Sequence, residues 1–182
     1  PSNPGVVGTR GVALKRLIPR RGVGRKFQVP AVFKELTVRN NLRVAFSNNT
    51  DPFANMIRFS RKEGRERLRQ VVELAGLQDR LDVLGGNLSH GETQWLEIGM
   101  VLMQNPKLLL MDEPTAGMTE QETQKTSEIF NRLKGEHTLI VVEHDMAFVR
   151  EIADVITLMH LGKTLAEGPM EIVENDPKVK EV

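Results

Sequence analysis

The sequence predicts an α/β domain built on a largely parallel sheet. Two apolar runs, Leu108–Met111 and Leu139–Val142, are too short to span a membrane and have the length of buried strands. Stretches with apolar residues at helical spacing lie before, between and after these runs. Because strands that alternate with helices form parallel sheets covered by helices, the second half of this 182-residue chain fits that class.

The individual elements follow from apolar periodicity and from glycine, proline and asparagine breaks. Residues 1–24, rich in glycine, proline and arginine, look like the remnant of a larger N-terminal part. Beyond them the pattern predicts helices over about 37–46, 61–75, 91–104, 120–133 and 146–153, a loop over 47–60, strands over 107–111 and 138–142, a hairpin joining 155–159 to 163–167, and a short final helix. The helices before residue 90 interrupt the alternation, which predicts an inserted helical subdomain over about 29–88 ahead of an α/β core over about 89–182.

Composition is that of an ordinary globular protein and excludes some chemistry. The chain has no cysteine, which removes disulfides, thiolate metal sites and cysteine nucleophiles and fits a cytoplasmic location. Its net charge of +1 conceals a basic run from Arg10 to Lys26 that has seven basic residues and no acid. That run could contact phosphates, a membrane surface or nucleic acid, and a solvated face explains it equally well. Because no aromatic residues interleave with it, we do not predict nucleic-acid binding.

The strongest chemical motif is the apolar run 108–111 followed by Asp112, Glu113 and Pro114. In parallel α/β sheets, ligands bind at the carboxyl ends of the strands. An aspartate there can hold Mg²⁺ beside nucleotide phosphates, and a neighbouring glutamate can polarise a water molecule. A plain strand end with a turn is the alternative interpretation of the same residues.

A second motif, Leu88-Ser89-His90-Gly91-Glu92, stands at the start of the helix predicted over 91–104. Ser89 and Glu92 have the spacing of a capping box, so one interpretation is a well-formed helix start. A helix N-terminus with a serine hydroxyl and a glycine that permits close approach is also a phosphate-binding device. We expect both interpretations to hold.

Two further motifs are weaker on their own. A lone histidine after a strand is usually structural, but His144 follows the second apolar run at the sheet edge predicted to hold Asp112 and Glu113. The next residue, Asp145, is predicted to cap the following helix. The run Gly22-Val23-Gly24-Arg25-Lys26-Phe27-Gln28 looks like a phosphate loop, although it matches neither a Walker A loop nor a dinucleotide fingerprint.

Taken together, these motifs resemble the ATPase subunits of ABC transporters, from about Gly22 to the end of the chain. Gln28 stands at the position of the family's Q-loop glutamine, and Leu88–Glu92 resembles its signature, usually Leu-Ser-Gly-Gly-Gln. Leu108–Glu113 resembles Walker B with the catalytic glutamate, and His144 resembles the switch histidine. The resemblance implies an ABC-type P-loop ATPase domain with a parallel sheet core and an inserted helical subdomain, of which the whole chain is a part.

The resemblance also implies a mechanism in which two ATPase subunits close head to tail around two ATP molecules. At the subunit's own site, Asp112 and Gln28 would bind Mg²⁺. Glu113 would activate water, and His144 would stabilise the γ-phosphate. Ser89 and Gly91 would contact the γ-phosphate of the ATP held by the opposite subunit.

Partners and a location follow from the same resemblance. The ATPase would power an importer from the cytoplasmic face of the inner membrane, as a peripheral subunit. It would dock through the helical insertion on transmembrane permease subunits and pair with a second ATPase subunit, identical or different. A solute-binding protein would take part indirectly.

The chain also resembles urea transporter ATPases, which belong to the branched-chain amino-acid group of importers. The resemblance lies in four segments: residues 22–28, 88–100, 112–119 and 142–150. Urea is therefore the predicted solute, with branched-chain amino acids or another small amide as alternatives.

The chain departs from the family pattern at three places. His90 and Glu92 replace glycine and glutamine in the signature. Since an acid beside a phosphate is unfavourable, we expect Glu92 to turn back into the capping box. Thr119 stands where the loop after Walker B normally has aspartate. No Gly-x-x-x-x-Gly-Lys-Ser/Thr occurs in the chain, and we expect that loop to lie before residue 1. We therefore predict weak nucleotide binding by the isolated chain.

One alternative of a different class is open: a natural non-hydrolysing partner that contributes only its signature to another subunit's ATP. Retention of Glu113 and His144, which would be useless at a dead site, favours a hydrolysing subunit.

Overall fold

The computed structural model describes residues 32–46 and 62–181, together with the backbone of residues 23–25. The predictions for most of the basic run, for Gln28 and for the 47–60 loop lie outside these described residues. The chain divides into two compact units, Pro1–Val142 and Glu143–Val182.

Within its described residues, the first unit contains a parallel sheet of three strands in the order β1–β2–β3. Its strands are β1 (Val23–Arg25), β2 (Leu108–Asp112) and β3 (Thr138–Val142). The central strand β2 pairs Leu109 with Gly24 on one side and Asp112 with Val142 on the other. The predicted parallel sheet is therefore confirmed, and both apolar runs lie in it.

The run from Gly22 to Gln28 is not a phosphate loop over its described part. Val23–Arg25 forms β1, whose backbone pairs with Leu108–Leu110 of β2. A backbone extended in a parallel ladder cannot curl its N–H groups around a phosphate. The Gly-x-Gly spacing is therefore misleading.

The described residues of the first unit form four helices: α1 (Val38–Ala45), α2 (Lys62–Ala75), α3 (His90–Leu102) and α4 (Glu120–Leu133). Every bound lies within two residues of the predicted one. Short 3₁₀ turns at Gln78–Arg80 and Gly85–Asn87 lie between α2 and α3. Gly76, with a φ of 63°, ends α2 in the left-handed conformation that glycine adopts readily.

Helix α3 is central to the packing of the first unit. It contacts both α1 and α2, and its predicted core face of Trp95, Ile98, Gly99 and Leu102 is buried. The Trp95 indole donates a hydrogen bond from Nε1 to Oγ1 of Thr126 on α4 at 3.0 Å. Full burial of one large apolar side chain contributes roughly 1.5–3 kcal/mol, so this face fixes the position of α3 among its neighbours.

Strand β3 is less buried than its apolar sequence predicts. Exposed and half-buried residues alternate along it, and Ile140 and Val142 are 52% and 61% exposed. Within the described part of the chain, β3 pairs with β2 along one edge and with no strand along the other. The prediction of a buried strand is therefore wrong for β3, whereas Leu109 and Met111 of β2 are buried as predicted.

The second unit contains α5 (Met146–Ile152), β4 (Ile156–His160), β5 (Lys163–Gly168), α6 (Met170–Asn175) and α7 (Pro177–Lys180). β4 and β5 form the predicted antiparallel hairpin. Its two loop residues, Leu161 and Gly162, both have positive φ angles, of 48° and 74°, as a tight hairpin turn of type I′ requires. An ion pair of 2.6 Å between Arg150 and Glu174 joins α5 to α6.

Candidate functional site

Asp112 and Glu113 lie where β2 ends. Asp112 is the last residue of the strand and pairs with Val142, the last residue of β3. Glu113 has a positive φ of 44°, and its N–H donates to the Val142 carbonyl at 2.9 Å. Pro114 and Thr115 behind it are buried. The chain therefore turns sharply at the carboxyl edge of the sheet, immediately after the two acids.

Ser89 is the N-cap of α3. Its Oγ accepts from the Glu92 N–H at 3.1 Å, and the Ser89 N–H donates to Glu92 Oε2 at 2.9 Å. The predicted capping box is therefore present, and Glu92 turns back into it as expected. The other oxygen, Oε1, accepts from Arg80 Nε at 2.7 Å, so both carboxylate oxygens of Glu92 are engaged.

A second carboxylate, from α4, reaches the same helix start. Oε1 of Glu122 accepts from the Gly91 N–H at 3.2 Å and from the Ser89 hydroxyl at 3.3 Å. Its Oε2 accepts from the N–H and the hydroxyl of Thr119, each at 3.0 Å, within a capping box of α4. A Cβ atom on residue 91 would collide with this carboxylate, so any larger residue there would require the Glu122 side chain to move. The N-terminus of α3 therefore binds an anionic group from its own chain.

Hydrogen bonds lower the pKa of both carboxyl groups. For Glu122 the Thr119 N–H has the largest effect. Burial opposes it, and the Thr119 and Ser89 hydroxyls and the Gly91 N–H lower the pKa further. For Glu92 burial is the largest influence and raises the pKa, but the hydrogen bonds from Arg80 and from the Ser89 N–H outweigh it. Both groups are therefore held in their charged form.

His90 connects the start of α3 to the loop that follows β2. Its Nε2 lies 2.9 Å from the Ala116 carbonyl oxygen, and since a carbonyl only accepts, Nε2 carries the proton. Gly117, the next residue of the loop, has a φ of 74° and faces the imidazole so closely that a Cβ there would lie 3.2 Å from Nε2. The histidine that replaces the usual signature glycine thus holds the loop between Glu113 and Thr119.

His144 belongs to the second unit. Its backbone N–H donates to Glu143 Oε2 at 3.0 Å, and its ring Nδ1 lies 3.7 Å from the same oxygen. Asp145 caps α5 as predicted, with Oδ1 accepting from the N–H groups of Ala147 and Phe148 at 3.0 and 3.2 Å. Gln28 lies outside the described residues. The roles expected of Gln28 and His144 stay predictions.

No group of three or more histidine, aspartate or glutamate side chains in the described part of the chain is arranged to hold a metal ion. Mg²⁺ that is bound mainly through substrate phosphates needs only one or two protein carboxylates. Asp112, at the end of β2, is suited to that kind of site.

The residue that sequence reasoning missed is Glu122. Thr119 and Glu122 have the same spacing as Ser89 and Glu92, which is a sufficient signal for the cap of α4. The contact from Glu122 to Gly91 spans 31 positions and depends on how α3 and α4 pack. No local pattern could have predicted it.

Comparisons with known proteins agree with this fold. A family model described as "ABC transporter" matches residues 4–116. The high-affinity branched-chain amino acid transport ATP-binding protein BraF of Pseudomonas aeruginosa is 34% identical over 171 residues, covering 89% of this chain and 67% of that protein. The phosphate import ATP-binding protein PstB of Pyrococcus furiosus is 37% identical over 163 residues, covering 87% of this chain and 62% of that protein. A solved structure of the ADP conformation of an ATP-binding cassette of an ABC transporter superposes with a TM-score of 0.73 and 30% identity, covering 91% of this chain and 69% of the other.

The chain therefore belongs to the ABC transporter family and has the α/β fold of its ATP-binding cassettes. It spans about two thirds of the length of the branched-chain amino acid relative. The family match begins at residue 4, ahead of Gly22, where the sequence motifs begin. In the described residues, no helix combines the length and apolar character that crossing a bilayer requires.

Proposed function

We propose that this chain is the ATP-binding and hydrolysing subunit of an ABC importer. The observation that carries the proposal is the Asp112–Glu113 pair at the carboxyl end of β2, the sheet edge at which ligands bind in parallel α/β folds. ATP bound there with Mg²⁺ would supply the γ-phosphoryl group for hydrolysis. Asp112 provides a carboxylate for Mg²⁺, with Gln28 as the expected second ligand. Glu113 polarises the attacking water, and His144 contacts the γ-phosphate.

Ser89 and Gly91 serve the opposite subunit in this proposal. The start of α3 offers a hydroxyl, a backbone N–H and the open face of a glycine, and through them it already holds a carboxylate. A phosphate oxygen is an acceptor of the same kind, and helix N-termini favour negative charge. In a head-to-tail dimer these groups would meet the γ-phosphate of the ATP bound by the facing subunit.

The names of the relatives support an importer. The chain would sit as a peripheral subunit on the cytoplasmic face of the inner membrane, docked on permease subunits and paired with a second ATPase subunit, with a solute-binding protein acting outside. Urea as the solute is supported by the four sequence segments that resemble urea transporter ATPases. Branched-chain amino acids as the solute are supported by the branched-chain amino acid relative. Gene disruption followed by uptake of labelled urea and labelled leucine separates the two candidates, since only the transported solute should fail to accumulate.

The proposal is tested on a gene product that carries both this sequence and a Walker A loop, purified through a tag in complex with its membrane partners. Glu113→Gln should lower MgATP hydrolysis more than about tenfold, equivalent to about 1.4 kcal/mol on the barrier, while ATP still binds. Glu120→Gln removes an exposed carboxylate from the first turn of α4 and should leave hydrolysis unchanged. A Glu113→Gln complex that kept the wild-type rate would contradict the role of Glu113.

Ser89→Arg, in the same complex, tests the role of the signature in the facing subunit. The larger side chain fills the phosphate space and should stop hydrolysis at the site completed by Ser89. Loss of the cap alone costs about 0.5–2 kcal/mol of stability. If thermal unfolding accounts for all the lost activity, Ser89 is only a helix cap.

For the isolated chain we expect no measurable hydrolysis, because its 182 residues contain no Walker A motif to hold the β- and γ-phosphates. Turnover of about 1 s⁻¹ or faster that Glu113→Gln abolished would contradict this expectation.

A further inference from the structure

The carboxylate of Glu122 occupies the donors that the proposed function assigns to a phosphate. One oxygen, Oε1, accepts from both Ser89 Oγ and the Gly91 N–H, and the carboxylate fills the space over Gly91 where a Cβ would collide. We propose that Glu122 is an internal ligand of the Ser89–Gly91 turn that competes with a nucleotide phosphate and so sets the affinity of the signature for it. This inference rests on the proposed function, in which that turn receives the γ-phosphate of the facing subunit's ATP.

The two oxygens of Glu122 have separate tasks. Oε2 accepts from the N–H and the hydroxyl of Thr119 and so caps its own helix, α4. Oε1 makes the two hydrogen bonds to α3. Releasing α3 therefore removes two hydrogen bonds and can leave the cap of α4 in place. Because the hydrogen bonds of Oε1 to α3 can break without unfolding the start of α4, a ligand can displace them.

The neighbouring acid does not fill this role. Glu92 stands inside the signature, but its Oε2 accepts from the Ser89 N–H and its Oε1 from Arg80. Glu92 is thus held on its own helix start and paired with a cation. The charge that faces Gly91 comes from Glu122, and two anions cannot share the same pair of donors, so a phosphate must displace it.

The test uses the full ¹⁵N-labelled chain with tripolyphosphate as the probe, read from the amide signal of Gly91. Glu122→Gln keeps the size and polarity of the side chain but removes its charge. It should bind tripolyphosphate at Gly91 about tenfold more tightly than the wild type, the effect of losing a charge-assisted competitor. Glu122→Asp retains the charge at α4, but its shorter side chain cannot reach Gly91, and it should show the same gain. Glu120→Gln, a matched loss of charge two residues away, should bind like the wild type.

If the contact between α3 and α4 is purely structural, the expected result is different. Glu122→Gln then lowers the unfolding temperature without any gain in affinity for tripolyphosphate at Gly91. The proposal is overturned if the wild type and Glu122→Gln bind tripolyphosphate equally, or if neither binds it. A gain shared by Glu120→Gln also overturns it, because the effect is then one of overall charge. The proposed function is tested separately, on the complex. If it is wrong, the Ser89→Arg complex hydrolyses ATP normally, whatever the titration at Gly91 gives.

Discussion

Glu113 has a backbone conformation that a side chain disfavours. Its φ of 44° lies in the left-handed region, where an L-residue other than glycine costs roughly 1–2 kcal/mol. Its N–H is held by the Val142 carbonyl at 2.9 Å, and its own carbonyl accepts from Ala116 N–H at 3.2 Å. Non-glycine residues in such conformations cluster at functional sites. The strain at Glu113, next to Asp112, therefore supports the role that we propose for Glu113.

The strain predicts an order of stability between two variants. Glu113→Gly and Glu113→Ala both lose the carboxylate, but only glycine adopts the left-handed conformation without a Cβ clash. Chemical denaturation should show Glu113→Gly to be more stable than Glu113→Ala by about 1 kcal/mol. At Glu120, the first residue of α4, the order should reverse, because alanine favours helices over glycine. An equal effect of glycine and alanine at position 113 would mean that its backbone is not strained.

At the scale of elements, α3 and α4 begin with the same device. Ser89 with Glu92 and Thr119 with Glu122 each form a complete capping box. The two glutamates differ in what their remaining oxygen contacts, which is Arg80 for Glu92 and the start of α3 for Glu122. One box is therefore local, while the other links two helices.

The local box predicts a pH dependence. The pKa of Glu92 is lowered in the folded chain from its ordinary value of 4.5. A carboxyl group with a lowered folded pKa stabilises the fold above its unfolded pKa, and this contribution is lost as the pH falls through the folded pKa. The wild type should therefore unfold at a higher temperature than Glu92→Gln at pH 7, and the gap should close as the pH falls below about 4.5. A gap that stayed constant down to pH 3 would mean that the charge of Glu92 contributes nothing to the cap.

At the scale of the whole chain, β3 leaves apolar surface uncovered. Among the described residues it has a partner strand on one side only, and Ile140 and Val142 are largely exposed. Edge strands with apolar side chains tend to pair with other chains, and a lysine on the edge opposes such pairing.

We therefore expect the isolated chain to self-associate through β3. Ile140→Lys should weaken this association by about tenfold, close to 1.4 kcal/mol, as measured by sedimentation velocity over a concentration series. Ile172→Lys is the matched control, because Ile172 is similarly exposed but lies on helix α6 rather than on β3. If both substitutions have the same effect, charge rather than the edge of β3 controls association.

The sequence by itself determined the local structure and the family. The bounds of α4 and β3 agree with the predicted ones, and the caps at Ser89 and Asp145 are present, because periodicity and capping act within a few residues of chain. The placement of Asp112 and Glu113 at a strand end could be predicted for the same reason, since an apolar run followed by acids and proline contains its own stop signal.

Only the tertiary structure decided which groups these elements meet. Val23–Arg25 is a strand because β2 lies beside it, although its glycines suggest a phosphate loop. Ile140 and Val142 lie on one exposed face of β3, and its second edge has no strand within the described residues; its apolar composition reveals neither. Glu122 reaches Gly91, and His90 reaches Ala116, across 31 and 26 positions. Contacts of this kind depend on how helices pack and on which donors a neighbouring element leaves within reach, and no short-range pattern in the sequence records that.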